Sequence, residues 1–192
     1  MRCYSCGKFS FSVVCRVCQE TLFVPTLKTR KVGTLDVISF YRYETIEGLL
    51  HTKHKPEGWR IYRILGKMVF SPFMREFAEN DAGRVYIVGI DEDVKSGYSH
   101  VAQLTRAAKA PECIPLHGVL RARNRVNYSG KPLQFRLENP RDFVYTGKEG
   151  IDAILVDDIV TTGTTLQEAQ KVLAAHRVNV LFALTLADVE QG

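Results

Sequence analysis

The stretch Ala153-Ile154-Leu155-Val156-Asp157-Asp158-Ile159-Val160-Thr161-Thr162-Gly163-Thr164-Thr165 decides the fold. Its four leading apolar residues read as a buried strand. Two acids stand at the carboxyl end of that strand, and a short turn of Thr and Gly follows. Leu166, Ala169, Val172 and Leu173 then recur at helical spacing, which predicts a helix from about Thr164. Strand, acid pair, hydroxyl-rich turn and helix together predict a phosphate and sugar site in an open α/β sheet. Ligands in such sheets bind beyond the carboxyl ends of the strands.

Each residue type has a physical reason to be there. Gly163 allows a tight turn and a close approach of backbone to ligand. The free N–H groups at the start of the helix point at an anion, and the helix dipole favours negative charge. Thr161, Thr162, Thr164 and Thr165 add hydroxyl donors. Ionised Asp157 and Asp158 only accept hydrogen bonds, which suits ribose hydroxyls or a hydrated Mg²⁺. No Lys follows the Gly, so the turn is not a Walker loop. The plainer alternative is a Thr-capped helix after an Asp-rich turn; the complete series favours the ligand site.

The 192 residues suffice for one good core plus a small appendage. A hydrophobic fraction of 45% with 24% charged residues is globular rather than disordered. No apolar run reaches the length of a membrane span, and Met1-Arg2-Cys3 lacks a signal-peptide core, so a cytosolic protein is expected. The net charge is +5 with a pI near 9.0, a modest hint of a polyanionic partner. The charge is unevenly placed. Residues 1–31 hold six Lys/Arg against one Glu, and residues 119–148 hold seven against two acids. The rest of the chain is therefore mildly acidic.

Cys3-Tyr4-Ser5-Cys6 is followed, eight residues later, by Cys15-Arg16-Val17-Cys18. Doubled C-x₂-C knuckles predict a Cys₄ zinc site rather than unrelated thiols or a redox pair. The spacer can return as a short hairpin with Gly7 at its first turn. So short a segment has almost no core, and the metal would supply much of its folding energy. Cys113 reads as a small core residue.

Leu35–Tyr43 reads as a strand, and Ile46, Leu49 and Leu50 begin a helical turn. His51-Thr52-Lys53-His54-Lys55 could offer a ligand pair, but the two lysines point to a solvated basic patch. Trp59 to Phe77 is mostly helical in pattern, with Ser71-Pro72 expected to kink or divide it. Asn80–Gly83 is a turn. Val85–Ile90 is a second buried strand, ending in the acidic loop Asp91-Glu92-Asp93, with Lys95 as its candidate phosphate contact. A helix carries Val101, Leu104, Thr105 and Ala108 on one face. Ile114–Leu120 reads as a third strand and Val178–Leu186 as the last. Between them, Arg121, Arg123, Arg125, Lys131, Arg136 and Arg141 alternate with Tyr128, Phe135 and Phe143. That stretch is either a strip that follows a nucleic-acid backbone and stacks bases, or a solvated loop with its aromatics packed beneath.

The central stretch resembles the phosphoribosyl-pyrophosphate (PRPP) binding motif of type I phosphoribosyltransferases. Together with the Cys₄ head, the Tyr43–Lys53 segment, Gly97-Tyr98-Ser99-His100 and Arg136-Leu137-Glu138-Asn139, it resembles the ComF family of bacterial competence proteins. Ser96-Gly97-Tyr98-Ser99-His100 departs from that family's Arg-Gly-Phe-Asn-Gln. The resemblance implies an α/β phosphoribosyltransferase fold over residues 32–192 and a zinc module over residues 1–31. It implies Asp157 and Asp158 on the ribose hydroxyls as the catalytic acids, Thr161–Thr165 on the 5-phosphate, and Mg²⁺ accompanying PRPP. It also implies a role in natural transformation, handling single-stranded DNA in the cytoplasm, with competence proteins at the inner membrane as further partners. Arg121, Arg123, Arg125, Tyr128, Lys131 and Arg136 are the candidate DNA contacts. The alternatives are an active phosphoribosyltransferase on some acceptor, or a PRPP or nucleotide sensor without chemistry.

Overall fold

A computed structural model describes residues 1–80, 83–91, 97–124 and 133–189, except the side chains of residues 133, 136 and 137. A six-stranded sheet forms its centre. Its strands are β1 (Lys28–Val32), β2 (Leu35–Arg42), β8 (Asn179–Asp188), β7 (Asp152–Val160), β3 (Val85–Gly89) and β4 (Cys113–Leu116), in that spatial order. Only β1 is antiparallel to its neighbour; the other four pairings are parallel. Helices α2 (Tyr43–Leu50), α3 (Gly58–Asn80) and α4 (His100–Ala107) pack on one face, through Ile46, Leu65, Val69 and Leu104 against Ile154, Val156 and Leu184. Helix α6 (Thr164–Ala175) lies on the other, where Leu166, Ala169 and Leu173 meet Val37, Leu155 and Ala183. The α/β sheet expected from the sequence, mostly parallel and covered on both faces, is the one observed.

The alternation of β7 explains this. Ile154 and Val156 face one layer, Ala153 and Leu155 the other, and all four are buried. A strand buried on both faces needs such a continuous apolar run.

Chain order turns between β3 and β7. From β3 the chain runs outward through α4 to β4; from β7 it runs the other way through α6 to β8. Since α4 and α6 cover opposite faces, this is the sheet's switch point, where the crevice beyond the strand ends opens. Asp91 and the Asp157–Asp158 pair stand on its two sides.

Three expectations change. Of the kink or division expected at Ser71-Pro72, the division does not occur: α3 is continuous over 23 residues. A proline inside a helix costs about 3 kcal/mol. Burying Ile61, Tyr62, Leu65, Val69, Phe70 and Met74, each contributing about 1.5–3 kcal/mol, outweighs that cost. Ser71 also donates to the Ala107 carbonyl at 2.7 Å, and Gly66 leaves room for Ala107, so α3 and α4 pack closely. The strand expected over Ile114–Leu120 ends at Leu116, and Leu120 starts β5 (Leu120–Ala122). β5 pairs with β6 (Phe143–Tyr145) in a separate two-stranded ribbon. Tyr43 opens α2 rather than closing β2. Cys113 is buried, as expected of a core residue. The turn expected at residues 80–83 falls on Asp81 and Ala82, which lie outside the described residues.

Candidate functional site

The strand of the central stretch runs past both acids to Val160, because Ile159 and Val160 still pair with Ala187 and Asp188. Inside a strand, adjacent side chains point to opposite faces. The acids therefore separate instead of forming one paired site. Asp157 follows Leu155 on the α6 face, in register with Thr185 and, through it, Ser39. Ser39 and Thr185 share a hydrogen bond of 2.7 Å between their hydroxyls, so a polar row crosses three strands there. Asp157 is half-buried, and its Oδ1 accepts from the Asp158 N–H at 2.8 Å.

Asp158 faces the other layer and is buried. Its Oδ2 lies 3.6 Å from Lys53 Nζ and 3.4 Å from His100 Nε2, and accepts from the Tyr62 hydroxyl at 3.2 Å. Burial alone would raise its pKa. Lys53, then His100 and Tyr62, outweigh that and hold the carboxyl well below the usual carboxylate range. The Tyr62 hydroxyl is pushed well above its ordinary value by burial and by the Asp158 charge. That hydroxyl also reaches the Leu50 carbonyl at 3.1 Å, so its one proton is shared. Asp158 thus ties the sheet to α3, to α4 and to the turn after α2.

In that turn the expected solvated basic patch holds for His51, His54 and Lys55, which are exposed, but not for Lys53, which is half-buried against Asp158. Thr52 is fully buried, and Tyr98 donates to the Lys53 carbonyl at 2.8 Å, which turns the Lys53 side chain inward. The exposed His54 ring stands 6.3 Å from His100. Lys53, Tyr62 and His100 were not singled out in the sequence. Tyr62 looks like one more apolar position of a helical stripe, and charge patterning alone places Lys53 in solvent. Two signals were available: His100 lay within the Gly97–His100 run, and Lys53 ended the Tyr43–Lys53 segment.

Opposite, Asp91 closes β3. Its carboxylate accepts from Ser99 Oγ at 2.8 Å and from the Gly118 N–H at 2.9 Å, and Ser99 also caps α4. Lys95, the candidate phosphate contact, lies outside the described residues.

The Thr-Gly turn leaves β7 and enters α6 at Thr164, as expected. Gly163 has φ of 80° and offers no side-chain cap to the helix. The Thr162 and Thr164 hydroxyls are 3.1 Å apart. A Cβ at Gly163 would overlap Val32 of β1, so only glycine fits both the backbone angle and this contact. Thr161, Thr162, Thr164 and Thr165 are all half-buried around the turn.

At the amino end, the sulfurs of Cys3, Cys6, Cys15 and Cys18 lie within 4.8 Å of one another. Cys3 and Cys18 are 3.9 Å apart, Cys6 and Cys15 3.7 Å. A tetrahedron with metal–sulfur bonds of about 2.3 Å has edges of about 3.8 Å, so the cluster can hold a metal ion. Gly7 has φ of 71° and donates to the Cys3 carbonyl at 3.0 Å, closing the expected hairpin. The Cys15 N–H donates to Cys3 Sγ at 3.2 Å. Burial works to raise the Cys3 pKa, but N–H donors from Cys15, Cys6 and Ser5 bring it to about 6. Burial pushes Cys18 up to about 12. Four thiols this close cannot all ionise alone; a bound dication removes that obstacle. Helix α1 (Arg16–Thr21) starts on Cys15 as its cap.

Of the basic strip, Arg121 and Arg123 are described and exposed. Arg121 Nε donates to the Gly118 carbonyl at 2.9 Å. Arg125, Tyr128 and Lys131 lie outside the described residues, as does the Arg136 side chain, although its backbone is in α5 (Leu133–Glu138). Phe143 is buried, so this aromatic packs beneath the ribbon rather than facing solvent. Glu168 of α6 accepts from the Arg141 and Asp142 N–H groups at 3.0 and 2.7 Å, fastening the ribbon to the helix. Among the described residues, no helix is long and apolar enough to cross a membrane.

Neither a family model nor a curated protein sequence matches the chain. Solved structures similar to it include phosphoribosyltransferases. A hypoxanthine phosphoribosyltransferase from Staphylococcus aureus is 17% identical, with 73% of this chain and 71% of that one covered and a TM-score of 0.43. An adenine phosphoribosyltransferase from Saccharomyces cerevisiae is 16% identical over 90% of this chain and 88% of its own, also with a TM-score of 0.43. The adenine phosphoribosyltransferase of Trypanosoma brucei is 13% identical, with coverages of 90% and 79% and a TM-score of 0.39.

Proposed function

We propose that the chain binds PRPP in the crevice at the sheet's switch point, as a phosphoribosyltransferase-like protein. One observation carries this reading: β7 runs from Asp157 straight into the Thr161–Thr165 turn, and that turn opens α6. Thr161, Thr162, Gly163, Thr164 and Thr165 would surround the 5-phosphate. Asp157 would accept from the ribose hydroxyls. Mg²⁺ would arrive with the pyrophosphate, and Lys95 would meet that group. Asp158, engaged by Lys53, His100 and Tyr62, holds the crevice walls in place instead of sharing the ribose equally with Asp157. In the transferase form of this reading, an acceptor's nucleophile bonds to C1 of the ribose as the C1–pyrophosphate bond breaks. In the sensor form, binding occurs without pyrophosphate release.

Calorimetric titration with Mg²⁺ and PRPP tests the reading. Wild-type protein is expected to bind. Asp157→Asn keeps the shape but loses a charged acceptor, and should weaken binding by about tenfold or more, the worth of a charge-assisted hydrogen bond. Wild-type protein that binds no PRPP would refute the reading; unchanged affinity in the variant would refute the role of Asp157.

The Cys₄ cluster we assign to structural zinc, because four thiolates in tetrahedral array select it. Residues 1–31 then form the metal-held head and residues 32–192 the ligand domain, with β1 crossing from one into the other.

The competence reading adds single-stranded DNA as a partner in the cytoplasm, beside competence proteins at the inner membrane. Exposed Arg121 and Arg123, and the basic excess of residues 1–31 and 119–148, favour it. Changing Arg121, Arg123 and Arg125 together to Ala should weaken single-stranded DNA binding. The salt slope should fall by up to about two units, at roughly 0.7 for each phosphate that is no longer neutralised. Salt-dependent binding that matches wild type would reduce the strip to a solvated loop; deleting residues 1–31 would then show whether the head binds DNA alone.

A further inference from the structure

The amino-terminal strand reaches the phosphate turn. Arg30, in the middle of β1, donates from Nη2 to the Thr161 carbonyl. The same nitrogen is 3.2 Å from Asp188 Oδ1 at the end of β8, and Lys28 Nζ is 3.5 Å from Oδ2. The Asp188 side chain is only 3% exposed, and that of Arg30 24%. Two residues on, Val32 fills the space beside Gly163 that a Cβ would need. Strand β1 therefore touches the turn at its first and third residues.

We infer that Arg30 is a positioning residue for the phosphate turn, an inference that rests on the reading of that turn as the 5-phosphate site. The reason lies in the peptide unit. In a planar trans peptide, the carbonyl of one residue and the N–H of the next point in opposite directions. Holding the Thr161 carbonyl against Arg30 aims the Thr162 N–H the other way. It also withdraws an acceptor oxygen from the side an anion would occupy. Free to rotate, that peptide could turn its carbonyl dipole toward the phosphate and repel it. The buried Asp188 charge draws the guanidinium to this place, because the nitrogen that meets the Thr161 carbonyl also lies at ion-pair distance from Asp188 Oδ1. Lysine offers a compact point charge instead. It would keep the charge beside Asp188, but its nitrogen ends one bond short of the Nη2 position that reaches the Thr161 carbonyl. The residue thus links a segment otherwise counted with the basic head to the geometry of the ligand site.

The experiment compares wild type, Arg30→Ala and Arg30→Lys in full-length protein. Each is titrated with PRPP, with ribose 5-phosphate and with Mg²⁺-pyrophosphate, and each is unfolded in urea. Both variants are expected to bind PRPP and ribose 5-phosphate about tenfold more weakly or worse, the scale of one charge-assisted hydrogen bond. Pyrophosphate, which lacks the 5-phosphate, should bind as to wild type. Arg30→Lys should keep the wild-type urea midpoint, so that loss of folding in Arg30→Ala would not hide the effect. Wild-type affinity in Arg30→Lys overturns the inference and points to a simple charge contact with the ligand. A loss equal for all three ligands overturns it too, since that is general loosening. Should wild-type protein bind neither PRPP nor ribose 5-phosphate, the reading of the turn falls and this inference with it.

Discussion

Asp158→Ala is expected to lower the unfolding free energy by about 3–5 kcal/mol, the cost of removing one partner from a buried ionic cluster. The change leaves Lys53 and His100 facing one another without the carboxylate between them, and leaves the Tyr62 hydroxyl with only the Leu50 carbonyl. Replacing both acids by Ala with the fold intact, natural for residues at an exposed strand end, is therefore not expected. The charge-neutral isostere Asp158→Asn should fall between Ala and wild type. The pH dependence has a definite sign. The folded-state pKa of Asp158 lies below its unfolded value. Its contribution is therefore complete above the ordinary carboxylate range, and is lost as pH falls from about 4 toward the folded value. Urea midpoints measured from pH 7 down to pH 3 should drop for wild type, and less steeply for Asp158→Asn. Equal stability of Asp158→Ala and wild type at pH 7 would mean that the cluster does not form in solution.

Removing the metal from the amino-terminal cluster should be the other large effect. Structural zinc in small fingers contributes about 10–16 kcal/mol of apparent binding energy at neutral pH. Residues 1–23 have little regular structure of their own: α1 has six residues, and Phe9 and Phe11 are exposed. The effect should not stay local. Cys3, Val13, Val14, Cys18 and Phe23 belong to the same buried cluster as Phe40, Ile61 and Phe70. Cys15→Ser removes a ligand but keeps a hydroxyl that can accept from the Cys18 N–H as the cap of α1, so the loss falls on the metal. Protein purified without chelator should carry one zinc per chain, and Cys15→Ser should carry much less. In the variant, residues 1–23 should become the first site of proteolysis and the melting temperature should fall. Metal-free wild-type protein with an unchanged melting temperature would exclude a structural metal.

Local chemistry made much of this legible. The period and length of Ala153–Val156 marked a strand buried on both sides, and the Thr-Gly turn marked where α6 starts. The spacing of four cysteines was enough to anticipate a cluster of four sulfurs, because two knuckles joined by a short hairpin can converge in few other ways. These features depend on residues close together in the chain.

The rest depended on residues far apart. Adjacent acids in a sequence look like a pair, but a strand that continues through them sends them to opposite layers. Only the pairing of Ile159 and Val160 with β8 decides that the strand continues. Lys53 reads as a solvent lysine until Tyr98, some 45 residues on, turns its backbone inward. Pro72 reads as a break until α4 and the sheet offer its helix enough apolar surface. Arg30 counts as one more charge of a basic head until β1 lies beside β2 and brings it to Thr161, more than a hundred residues away. Strand period, turn chemistry and ligand spacing act over a few residues, and they were enough for the sheet, the turn and the cysteine cluster. Which charges meet depends on packing, because a buried charge takes its partners from whatever elements come within a few ångströms.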